Sequence, residues 1–140
     1  MAERQLKTFR GRRAQASRVA IAELMRHGCA AAGYRLAGAR LDHVCSRHLY
    51  GNDRLLTAWP SLDHAVILVV GPHERTAKDV YGLLLTALGI ETPEAEREKP
   101  SCCDELGNPP ADSQTAESLA DAIEALARRS AKTVRGRGRS

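Results

Sequence analysis

The chain has 140 residues and a mass of 15.2 kDa, which suits one domain with tails. Hydrophobic residues make up 43% and charged residues 27%, an ordinary globular composition, and the formal net charge is +4. No apolar run approaches the roughly 18–20 residues of a membrane span, and only 4% aromatic content argues against a base-stacking platform.

The charge is unevenly placed. Residues 1–18 and 128–140 together hold twelve basic groups against one acid, while residues 19–127 hold nine against sixteen. The pI of about 9.1 therefore conceals an acidic body between two basic ends. Residues 1–11 read as a flexible basic N-terminus without an apolar signal-peptide core, so export is not expected. A helix is predicted over 12–32, because Ile21, Leu24, Met25, Gly28, Cys29 and Ala32 recur at helical spacing. Residues 41–50 read as an edge or half-buried strand, Gly51-Asn52-Asp53 as a turn and 54–59 as its partner strand. Pro60–Asp63 makes the next turn. His64–Val70 is a β-branched apolar run suited to a strand buried on both faces.

Gly71-Pro72 ends that strand, and Thr76–Asp79 resembles a capping box opening a helix over 77–88. Residues 91–111 read as a long acidic, proline-rich loop, 113–130 as a last amphipathic helix and 131–140 as an Arg/Gly tail. The expected fold class is α+β: a small antiparallel sheet with an N-terminal helix and C-terminal helices packed on it, in one domain over 12–130.

Four cysteines, two of them adjacent, read as reduced thiols of a cytoplasmic protein. His43, Cys45 and His48 with distant Cys102-Cys103 lack the paired spacing of a zinc site, so no metal and no cofactor is implied.

Chemistry concentrates between Tyr50 and Tyr81. His73 is the group there whose ordinary pKa allows proton transfer near neutral pH. Arg54, Arg75 and Lys78 supply cations for a phosphate, and Tyr81 follows Lys78 by three residues on the expected helix. Metal-free RNA cleavage needs little beyond a proton acceptor, a proton donor and such cations.

Tyr50-Gly51-Asn52-Asp53-Arg54-Leu55-Leu56, the valine-rich strand and Gly71-Pro72-His73-Glu74-Arg75 with Tyr81 resemble the RelE/ParE toxin superfamily over about 30–40 residues. That family packs N-terminal helices on a small antiparallel sheet; RelE-like members cleave mRNA at the ribosome, ParE-like members poison gyrase, and an antitoxin protein neutralises both. The resemblance implies a catalytic set of His73, Tyr81, Arg75 and Arg54, with Lys78 binding substrate. It implies RNA, the ribosome and an antitoxin as partners. The chain departs from the family in its C-terminal extension and its single long N-terminal helix. The basic ends would contact nucleic acid non-specifically, and no membrane partner is expected. A non-enzymatic nucleic-acid-associated or regulatory protein, or a phage or plasmid accessory module, is the alternative.

Overall fold

The computed structural model describes residues 1–36, 41–73, 79–89 and 100–137, with side chains to residue 129. The expected helix start at Thr76–Lys78 and the acidic stretch 91–99 lie outside the described residues. In chain order the elements are α1 (Ala2–Thr8), α2 (Gly11–His27), a 3-10 turn (Gly28–Ala31), β1 (Tyr34–Arg35), β2 (Val44–His48), β3 (Asp53–Ser61), β4 (His64–Pro72), α3 (Val80–Leu88) and α4 (Ser113–Arg137).

The four strands form one antiparallel sheet in the order β1-β2-β3-β4, confirming the expected α+β class. Neighbouring residues of β3 and β4 serve opposite faces, as strand pleating requires. Leu55 and Val70 join Ala2, Phe9, Leu24 and Cys29 beneath α1 and α2. Leu56 and Val69 join Val80, Leu84, Leu119 and Ile123 beneath α3 and α4. Although β4 is an edge strand, both of its faces are covered over Leu68–Val70, which are buried, and this fits the apolar reading of the run.

Several boundaries differ from the sequence reading. Residues expected as a flexible N-terminus instead build α1, with Ala2 and Phe9 buried against the sheet and Gln5 Oε1 accepting from Val70 N at 2.8 Å. α2 stops at Gly28, whose φ of +61° leaves the helical region. Cys29 and Ala32 continue the apolar spacing beyond that stop, and both are buried next to the 3-10 turn. Gly33 is dictated by space: at φ +84° a Cβ there would lie 2.1 Å from Ser46 O. That close approach seats β1, a two-residue strand too short for any periodicity to announce. β3 runs through Pro60 to Ser61, which pairs with His64. α3 begins at Val80 with Asp79 as its N-cap, one turn later than the capping-box reading. α4 extends to Arg137, into the stretch expected as tail.

The largest correction concerns the cysteines. Cys29 bonds to Cys103 and Cys45 to Cys102, so no described cysteine is a free thiol and the reduced reading is overturned. Adjacency argues against a bond between Cys102 and Cys103 but leaves each able to reach a different element. Together they strap residues 100–112 across the edge of the sheet. There, Arg35 N donates to Pro100 O at 2.8 Å, Cys102 N to Gly33 O at 3.0 Å and Asp112 N to Trp59 O at 2.8 Å. A strap of this kind covers an exposed strand edge.

Candidate functional site

The site is assembled where β4 hands over to α3. Antiparallel register sets Arg54 between His48 on β2 and Gly71 on β4. Arg54, Ser46 and Leu56 share the sheet face that α3 covers. Gly71 lies under α3: a Cβ there would reach ordinary van der Waals contact with Val80 Cγ1, at 3.4 Å. The next residue but one, His73, is anchored by its backbone: its N–H donates to Asn52 O at 2.8 Å, tying it to the β2–β3 turn.

Asp79 then does two things with one oxygen. Its Oδ1 accepts from Tyr81 N at 3.1 Å, capping α3, and lies 3.2 Å from His73 Nδ1. The His73 ring stands edge-on to the Tyr81 ring, with centroids 4.3 Å apart and planes at 81°. His73 is therefore held from two sides while its side chain stays 49% exposed. With Nδ1 donating to the carboxylate, Nε2 keeps its lone pair on a half-exposed ring, the protonation state a general base requires.

Tyr81 points its hydroxyl the other way, into the fold. It sits 2.5 Å from Ser46 Oγ and 3.1 Å from the Tyr34 hydroxyl. Burial pushes its pKa well above the usual phenol value. The Tyr34 hydrogen bond adds to the rise, while the Ser46 hydrogen bond and the Arg54 charge oppose it. The phenol thus stays protonated through the neutral range; its hydroxyl is engaged by Ser46 and Tyr34, and its ring meets His73.

Of the five residues expected here, the structure sets the His73 ring against the Tyr81 ring, and the Arg54 charge acts on the Tyr81 hydroxyl; Arg75 and Lys78 lie outside the described residues. Arg54 is half-buried and donates from NH1 to its neighbour's carbonyl, Asp53 O, at 3.1 Å. Sequence reasoning missed Asp79, Ser46 and Tyr34. Asp79 stood in plain view as a capping residue, but its contact with His73 joins residues six apart in the chain. Ser46 and Tyr34 meet Tyr81 only because β1 and β2 pair, which no local pattern encodes.

Among the described residues no three His, Cys, Asp or Glu side chains gather to hold a metal ion, and no helix is long and apolar enough to cross a membrane. The chain matches no family model, no curated protein and no solved structure.

Proposed function

We propose that the chain is a RelE-like toxin or toxin-derived protein, a metal-independent endoribonuclease acting on mRNA at the ribosome and neutralised by a small antitoxin protein. The observation that carries the reading is the half-exposed His73, held by Asp79 and by Tyr81, whose hydroxyl feels the Arg54 charge. In the reaction, His73 Nε2 takes the proton of a ribose 2′-hydroxyl. The 2′-oxygen bonds to phosphorus, the bond to the 5′-oxygen breaks, and that oxygen takes its proton from water. The products are a 2′,3′-cyclic phosphate and a 5′-hydroxyl. Arg54 stabilises the charge on phosphorus. Arg75 and Lys78 belong to the same cationic set in this reading.

The ribosome assigns this activity to the cytoplasm, where disulfides are uncommon. The reading therefore requires cleavage to survive reduction of both disulfides. Expression in bacteria tests it: the wild type slows growth and cuts transcripts, and His73→Ala abolishes both. Equal growth and equally intact transcripts for the two sink the enzymatic reading.

A second reading, a non-enzymatic nucleic-acid-binding protein, draws support from the Tyr81 hydroxyl, which Ser46 and Tyr34 engage as a purely structural group would be. It predicts nucleic-acid affinity indifferent to His73 substitution.

A further inference from the structure

We propose that one face of α2, together with the tip of the β2–β3 hairpin, is a docking surface for single-stranded RNA. The proposal takes RNA as its ligand from the function proposed above, and its test is independent of cleavage. Five of the six basic residues of the first eighteen positions are carried on α1 and α2, and the sixth, Arg10, is the N-cap of α2. Arg12 and Arg26 are exposed and lie fourteen residues apart, four turns, so they share one face of α2 about 21 Å long. Glu23, the acid on that face, is taken by Arg47 of β2 at 2.8 Å. Asp53 is likewise taken, by Arg13 at 2.7 Å. The cations of the face are thus left in excess.

Between this face and the hairpin runs a shallow cleft of about 460 Å³, lined by Arg12, Gln15, Val19, Arg47, His48 and Tyr50. Tyr50 is 46% exposed there, a ring available to a base beside cations available to phosphates. The turn that carries Tyr50 also carries Asn52, whose carbonyl holds His73 N. A strand lying in the cleft and crossing that turn arrives at His73 and Arg54. An anionic membrane fits this surface less well. α2 buries Ala20 and Leu24 against the sheet and exposes only Val19 and Met25 as larger apolar groups, too little for an inserting face.

Fluorescence anisotropy with a labelled single-stranded RNA of about 12 nucleotides tests the surface. Arg12→Gln/Arg26→Gln is expected to weaken binding about tenfold and to shrink the salt slope by about 1.4, two phosphates' worth on a single strand. Tyr50→Ala is expected to weaken binding about fivefold or more with the slope unchanged. Arg18→Gln removes an exposed charge about 100° round the helix from that face and is expected to bind as the wild type does. Circular dichroism verifies that each variant keeps its helices. Equal affinity for all four proteins, an Arg18→Gln loss matching the others, or tighter binding to anionic vesicles than to RNA overturns the proposal. Cleavage of the same RNA is scored separately: altered binding with no cleavage sinks the enzyme and spares the surface, and the converse spares only the enzyme.

Discussion

Two polar arrangements flank the sheet, each centred on an aspartate, and they end differently. On the α2 side, Asp53 receives two hydrogen bonds from Arg13, Nε to Oδ2 at 2.7 Å and NH2 to Oδ1 at 2.9 Å, and its side chain is 6% exposed. The Arg13 guanidinium in turn lies 4.0 Å over the Phe9 ring. Both carboxylate oxygens of Asp53 are committed in that set. On the α3 side, Asp79 caps a helix and holds Nδ1 of His73, whose side chain is half exposed. A carboxylate with both oxygens committed to one guanidinium holds the fold together. A carboxylate that fixes one nitrogen of an exposed imidazole leaves the other for chemistry. The difference teaches that burial and pairing alone do not mark a site; an unspent proton acceptor at the end of the chain of contacts does.

That contrast can be broken first at the disulfides, which lie on the α2 side. Reducing both, or replacing Cys45 and Cys102 by Ala, should cost about 2–4 kcal/mol per bond, because each closes a long loop, with separations of 74 and 57 residues. Thermal melts with and without reductant read this, and RNA cleavage under native conditions should persist. Cleavage lost with the fold intact would mean that the two sides are not separable. Arg13→Ala comes next. It leaves the buried Asp53 carboxylate without its guanidinium and should cost about 2–3 kcal/mol by urea melts, less than a fully buried pair because water reaches Arg13, which is 42% exposed. Cleavage should again be unaffected.

Tyr81→Phe sharpens the contrast from the other side. It keeps the ring against His73 but removes the hydroxyl between Ser46 and Tyr34, for about 1–2 kcal/mol of stability and less than a tenfold loss of cleavage. The pH dependence has a definite sign. The folded phenol has a raised pKa and the unfolded one its ordinary value near 10. Its contribution to stability is fully present below pH 10 and falls as the pH rises above that, since unfolding then releases a proton. Tyr81→Phe should flatten this alkaline decline in melts taken above pH 10; an equally steep decline in the variant contradicts the assignment.

How far the sequence revealed these features follows from the range of the forces involved. β2, β3, β4 and the bodies of α2, α3 and α4 were legible because periodicity, turn residues and glycine stops are local signals. His73 and Tyr81 stand close in sequence and carry unusual chemistry for their surroundings, and their rings do meet. What escaped was non-local. β1 exists because Gly33 lets it approach Ser46. The disulfides exist because the segment after Pro100 returns to the sheet edge. The Arg13–Asp53 pair joins residues forty apart. The basic N-terminus was misread for a related reason: charge density argued for a free tail, whereas Ala2, Leu6 and Phe9, sparse apolar residues among charges, pack it against the sheet, with Gln5 bonded to Val70 N.

The most direct test follows cleavage of labelled mRNA, both free and bound to ribosomes, by the wild type, His73→Ala and Asp79→Asn, the last chosen because asparagine still caps α3. The account predicts fragments ending in a 2′,3′-cyclic phosphate, a loss of at least about 100-fold in His73→Ala and an intermediate loss in Asp79→Asn, with thermal midpoints nearly unchanged. Intact mRNA with the wild type, or equal rates for all three proteins, contradicts it.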